Sequence, residues 1–268
     1  MKTIVITGAS SGIGKSTAEL FSKKGWNVAA TMRNLEKAAQ FKNFSNIRCY
    51  PMDVCDIKSV ENCIHQVISD FGKIDVLLNN AGVYETSPFE KTTMESVDQL
   101  INTNIYGIIH STKILIPHFR ENKSGMIVNI SSIAGRATFP FQSVYHLTKW
   151  AVEAFSESLR YELENMNIRI KTFSPSSVKT NLWSKLNKHV GDMYPKEYRD
   201  NFTNWFSYLQ RNIQKGVLPE HEALAIYKAV CDKKNILRYS SDFNTKLATF
   251  LHNILPVNMF QRFIRYQI

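Results

Sequence analysis

The 268-residue chain has only four cysteines, Cys49, Cys55, Cys63 and Cys231, and no two of them form a CxxC pair. They lie in stretches that read as buried strand or helix, so reduced thiols in a cytoplasmic protein are expected. The seven histidines show no HxxxH or other metal-like grouping, and no catalytic metal is expected. No apolar run approaches the roughly 18 residues of a membrane span. The first strand-like stretch begins at Thr3, which leaves no room before it for a charged leader, apolar core and cleavage site. Glycine and proline number only 11 and 8, and no linker rich in either, no repeat and no low-complexity tract divides the chain. A single domain over residues 1–268 is therefore expected. Acidic residues are the minority charge, 23 against 33 Lys and Arg, a net +10. That balance admits nucleic acid, anionic membrane or phosphorylated small molecules as partners. The basic residues form no arm of five or more, so a solvated basic surface is expected and a nucleic-acid partner is not.

Short β-branched runs are what the chain does have. They recur at TIVIT (3–7), NVAAT (27–31), NIRCY (46–50), IDVLL (74–78), MIVNI (126–130) and IRIKTF (168–173), with helical patterns between them. A seventh, ILRYS (236–240), is shorter and weaker. Strands apolar on both faces and joined by crossover helices call for a parallel sheet covered on each side. The expected fold is α/β, a doubly wound Rossmann-type domain that receives ligands at the carboxyl ends of its strands.

The first strand runs into TGASSGIG (7–14), and a helix opens at once with KSTAELFSKKG. Glycine there permits a sharp turn, close approach of backbone to a pyrophosphate and tight helix packing, the requirements of a dinucleotide site. Farther on, VYHLTK (144–149) places a tyrosine and a lysine four residues apart, on one face of a helix.

These segments, with NNAG (79–82), Asn104 in NTNIYG and NISS (129–132), resemble the short-chain dehydrogenase/reductase family. The likeness is collinear over roughly residues 1–180 and extends more loosely, through VAATMRNLEK, to the hydroxysteroid and retinol dehydrogenase branch. The resemblance implies a seven-stranded sheet, a bound nicotinamide dinucleotide and hydride transfer between it and a carbonyl or secondary alcohol. Catalysis would fall to Asn104, Ser132, Tyr145 and Lys149. Tyr145 would serve as acid or base with its pKa lowered by the Lys149 cation, and Lys149 would also bind the nicotinamide ribose. Ser131 and Ser132 compete for the substrate oxygen. Neighbours at a strand end point to opposite faces, and the family's spacing to the tyrosine selects Ser132. Asn104 would hold helix geometry and a water in a proton relay.

Cofactor contacts carried over in the same way fall on Gly8, Gly12, Ile13 and Gly14, on Asp53 and Val54, and on Asn80, Ala81 and Gly82, with Asn79 beside them. Asp53 also reads as a cap for the helix that follows. Later in the chain, Pro175, Val178 and Thr180 match, as do Tyr145 and Lys149, but Ser176 stands where the family often has glycine. An NAD site wants a carboxylate about twenty residues past the glycines. The second strand instead ends ATMRN, where Arg33, helped by Ser11, offers a fork for a 2′-phosphate. NADP(H) is expected in preference to NAD(H).

Aromatic residues crowd 181–217, among them Trp183, Tyr194, Trp205 and Phe206. The resemblance makes this stretch a lid over the substrate, and its aromatics point either to a bulky, apolar alcohol or ketone or to ordinary packing of the lid helices. Residues 243–268 form an apolar C-terminal extension interrupted by Pro256, expected to pack on the body or a second subunit in preference to a membrane. A homo-oligomer, dimer or tetramer, is the family's habit. The alternative to a carbonyl reductase is a non-catalytic NADP(H)-binding redox sensor on the same fold.

Overall fold

The computed structural model describes residues 1–180, 182 and 194–268. Alternation of apolar residues along each strand decides the architecture. Ile4 and Ile6 point into one buried cluster and Val5 into another; Val28 and Ala30 divide from Ala29, and Val76 and Leu78 from Leu77, in the same way. A sheet apolar on both faces is stable only when both are covered.

Seven parallel strands result, β1 (Thr3–Ile6), β2 (Asn27–Met32), β3 (Ile47–Pro51), β4 (Val76–Asn79), β5 (Gly125–Ile130), β6 (Ile168–Ser174) and β7 (Arg238–Ser240), in the spatial order 3-2-1-4-5-6-7. Helices α1 (Gly12–Lys23) and α2 (Ile57–Phe71) lie on opposite faces. After them come α3 (Met94–Ile101), α4 (Gly107–Glu121), α5 (Ser143–Leu163), α6 (Lys196–Gln214) and α7 (Pro219–Cys231). Phe21 of α1 and Ile226 of α7 pack under one face of the sheet, and Val60 of α2, Phe119 of α4 and Leu159 of α5 under the other. Helices α8 (Phe243–Ile254) and α9 (Val257–Gln267) end the chain.

Strand order reverses between β1 and β4, whose carboxyl ends are laced together by Thr7 N–H donating to Leu78 O at 3.0 Å. The loops beyond these ends form a crevice, the ligand position of doubly wound sheets. Among the described residues no helix is long and apolar enough to cross a membrane. All four cysteines are free; Cys63 is buried, but Cys55 and Cys231 are exposed, contrary to the burial expected from their neighbours.

Candidate active site

Helix α5 brings Tyr145 and Lys149 to the crevice because 100° per residue returns position i+4 to the same face. Tyr145 is 9% exposed, its hydroxyl hydrogen-bonded with Ser132 and its ring meeting Tyr84 edge-on at 4.8 Å. Ser132 lies two residues beyond β5, capping the short turn Ile133–Gly135, and accepts from Ala134 N–H at 3.1 Å, which fixes its rotamer. Ser131 points the other way. It is 2% exposed, and its hydroxyl has no hydrogen-bond partner among the described residues. Of the two serines, Ser132 is the one that meets the Tyr145 phenol.

Lys149 Nζ donates to Ile130 O at 2.9 Å and lies 5.8 Å from the Tyr145 ring centroid. Asn104 is fully buried within a π-helical turn, Asn102–Tyr106, between α3 and α4. Such turns widen a helix by one residue and re-aim the side chains they carry. Here Asn104 Oδ1 accepts from Val83 N–H and its Nδ2 donates to Val83 O, both at 2.9 Å, and Nδ2 also reaches Thr148 Oγ1 at 3.2 Å. Both polar ends are spent on Val83 and α5, so in this arrangement the side chain sets geometry.

Burial governs the titration. It pushes the Tyr145 phenol up to about 12, offset only in part by the Ser132 hydrogen bond, and brings the Lys149 ammonium down to about 8, with Glu153 one turn on pulling the other way. The lowered tyrosine expected from a nearby cation is therefore not what this arrangement gives. Lys149 directs its charge at a carbonyl, and desolvation of the phenolate prevails.

The second half of the crevice belongs to the loop between β1 and α1. Gly8 and Gly12 have φ of +67° and +54°, which residues with a Cβ adopt at a cost, and a Cβ on Gly8 would stand 2.9 Å from Ala81 Cα. Gly14 is closed in by Gly8 O and the Asn80 amide. Thr7 Oγ1 accepts from both Asn80 and Ala81 N–H at 2.9 Å, so the β1 and β4 loops form one rim. Ser11 is the N-cap of α1 yet makes no side-chain cap hydrogen bond, and the first turn carries no acid. Uncapped amides at Gly12, Ile13 and Gly14 and an unspent serine hydroxyl fit a pyrophosphate. Thr180 completes this end, its methyl 3.2 Å from where a Gly12 Cβ would lie.

Arg33 is exposed beyond β2, close enough to Cys55 for its charge to favour the thiolate, although burial still raises that thiol. The guanidinium therefore sits beside the Asp53–Val54 loop. Asp53 is not a helix cap. It accepts from Cys55 N–H at 3.0 Å, and Asp56 caps α2. Val54 is buried against Gly107, and Gly82 lies beside Asn104. Asn79, 2% exposed, faces inward to Asn129, Thr112 and Ser111 instead of the crevice. Pro175 is half-buried, and Val178 forms a bridge to Val217.

Three contributors, Thr148, His146 and Tyr84, carried no sequence signal of their own, and a fourth, Ser176, stood only as a departure from glycine. Thr148 joins Asn104 to Tyr145 O, the second contact at 2.8 Å. His146 accepts from Phe139 N–H at 2.9 Å and donates to Ala134 O at 2.7 Å, pinning the loop that follows Ser132. Ser176 uses its hydroxyl at 2.6 Å to hold the buried Glu222 carboxylate, which Ser241 also reaches at 2.9 Å. The departure from glycine thus ties the loop to α7. Tyr84 walls the phenol. The Thr148 and His146 positions follow from the α5 spacing only once Tyr145 has been chosen.

The short chain dehydrogenase family model matches residues 2–191, and the chain belongs to that family. It is 32% identical over 271 residues to a 3-ketodihydrosphingosine reductase of Bacteroides thetaiotaomicron, covering 98% of this chain and 96% of that protein. ElxO, solved with NADP bound, superposes with a TM-score of 0.75 at 29% identity over 92% of this chain and 99% of that one. A 3-ketoacyl-(acyl-carrier-protein) reductase of Brucella melitensis, complexed with NADH, gives 0.75 at 25% identity over 89% and 96%. The chain is an oxidoreductase of the short-chain dehydrogenase type.

Proposed function

We propose that the protein is an NADP(H)-dependent reductase of a bulky, apolar ketone, working as a single domain with Tyr145 as proton donor. One observation carries this reading: a phenol 9% exposed, hydrogen-bonded with Ser132, beside a lysine fixed on Ile130 O, at the strand ends next to the uncapped start of α1. The dinucleotide supplies the hydride. Gly12, Ile13 and Gly14 offer amides, and Ser11 a hydroxyl, to its pyrophosphate.

Asn80, Ala81, Gly82, Val178 and Thr180 would hold its nicotinamide half, and Asp53 and Val54 its adenine. Arg33 is the group for a 2′-phosphate, and its exposed guanidinium favours NADPH over NADH. Ser132 donates to the ketone oxygen, and Tyr145 protonates that oxygen as negative charge develops there. A phenol held at about 12 is fully protonated at neutral pH, as a donor must be. Lys149 adds positive charge behind the phenol and holds the ribose, and Asn104 positions Val83 and Thr148 around both.

A ketone substrate is supported by the 3-ketodihydrosphingosine reductase among the relatives and by the apolar walls Tyr84, Phe139 and Phe141. The test is a panel of short and long-chain ketones assayed for NADPH oxidation. Turnover of apolar ketones is expected, and a protein that binds NADPH yet reduces none of them would be a sensor instead.

A further inference from the structure

Helix α8 is packed with its polarity inverted. Thr245 and Thr249 face the body, 5% and 7% exposed, with Thr249 Oγ1 donating back to Thr245 O at 2.9 Å. The opposite stripe, at i, i+4, i+7 and i+11, is Phe243, Leu247, Phe250 and Ile254, which are 72%, 41%, 58% and 59% exposed. In α9, Phe260 is the anchor at 2% exposed, inserted edge-on against His252 at 4.8 Å. Met259, Phe263 and Tyr266 project from that helix at one-turn intervals, 54%, 44% and 89% exposed. The expected packing on the body therefore holds for the inner sides alone. An exposed stripe of large apolar side chains this continuous marks a docking surface.

Charge selects the occupant. From 243 to 268 there is no acidic residue, and Lys246, Arg262 and Arg265 are all exposed beside the apolar stripe. A twofold contact of this surface with its own copy would bring three cations against three cations with no acid of the hairpin between them. An apolar stripe rimmed by cations matches the boundary between acyl chains and anionic headgroups. We infer that α8 and α9 dock the protein on the surface of an anionic lipid bilayer, with the Phe250 and Phe263 faces inserted and Lys246, Arg262 and Arg265 at headgroup level. The hairpin also rests on α5 and α6, the helices that carry Tyr145 and Trp205. His252 meets Trp150 of α5 at 5.9 Å, and Ile268 packs with the α6 aromatic cluster.

The test is flotation of the full chain with vesicles of phosphatidylcholine alone and of phosphatidylcholine mixed with phosphatidylglycerol. The wild type is expected to float with the mixed vesicles and to be released by high salt. Phe250→Ser with Phe263→Ser should lower partitioning at least about tenfold, and Arg262→Glu or Arg265→Glu about fivefold each or more. These side chains are exposed, so thermal melting and NADPH titration of the variants should match wild type, which separates this result from any failure of the proposed reductase. If the serine pair melts early, the glutamate variants alone decide the matter. Wild type that stays unbound, or binding that survives all these changes, would overturn the inference. So would a dimer, seen by analytical ultracentrifugation, that the serine pair dissolves.

Discussion

Lys149 is 6% exposed, and burial holds its ammonium down at about 8 although the Glu153 charge pulls the other way and the Ile130 carbonyl accepts its hydrogen bond. Below that pH the cation behind Tyr145 is present, and above it the cation is lost. Because Tyr145 stays protonated until about 12, the reductase rate is expected to be level up to roughly pH 8 and to fall beyond it. A stopped-flow profile of NADPH oxidation between neutral pH and 10 checks this, and a rate that rises through the same window would point to a phenolate mechanism. Lys149→Ala should lose both turnover and part of its NADPH affinity. At Arg33, replacement by Ala should weaken NADPH by about 1.5–3 kcal/mol, the scale of charge-assisted hydrogen bonds, and leave NADH unchanged. Calorimetric titration with each dinucleotide reads it directly. Tyr145, Lys149 and Ser132 were legible only through the family resemblance, since a tyrosine and a lysine four residues apart share a face in any helix and the family's spacing decided between Ser131 and Ser132. The direction of the Tyr145 shift was not, since burial is set by Tyr84, Ser132 and Leu100, which packing brings from other segments.

At the scale of elements, all seven strands lie within two residues of their sequence-based bounds, because β-branched runs between glycine-rich turns leave little choice. β4 starts at Val76 instead of Ile74, since Asp75 turns its carboxylate to the Thr3 amide at 2.8 Å. The π turn at Asn104 could not be read from local pattern. It exists because the Asn104 side chain satisfies the backbone of Val83, 21 residues away. Close packing of α1 on the β1 loop can be tested at Gly14, where a Cβ would lie 2.6 Å from Gly8 O and 2.5 Å from Asn80 Nδ2. Gly14→Ala is expected to destabilise the fold by about 1–3 kcal/mol, the range for overpacking, and to weaken NADPH as the amides of α1 shift. Urea unfolding with unchanged stability would show that the loop yields freely.

For the whole molecule, the parallel sheet followed from apolar strands alternating with helical patterns, its strand order emerged only from the tertiary pairing, and the aromatic stretch after Thr180 was legible only as composition. Trp183 and most of 181–193 lie outside the described residues. In α6, Trp205 is 2% exposed, stacked on Phe139 at 6.2 Å and donating from Nε1 to Thr86 at 3.0 Å, so it joins α6 to the wall of the crevice. Trp205→Ala is therefore expected to cost about 3–5 kcal/mol of stability, seen in thermal melting. Phe206, half-buried, is the better probe of substrate size: Phe206→Ala should change KM across a ketone series more than it changes NADPH affinity. The central claim, that the crevice joins a dinucleotide to a ketone beneath a buried proton donor, rests on Tyr145. Its most direct test is the kcat of Tyr145→Phe with NADPH and a ketone that the parent reduces well. The ring and its packing remain, so NADPH should bind as before while kcat falls at least about 10²-fold, the lower range for general acid catalysis. A Tyr145→Phe protein that reduces the same ketone at the parent rate would contradict the account.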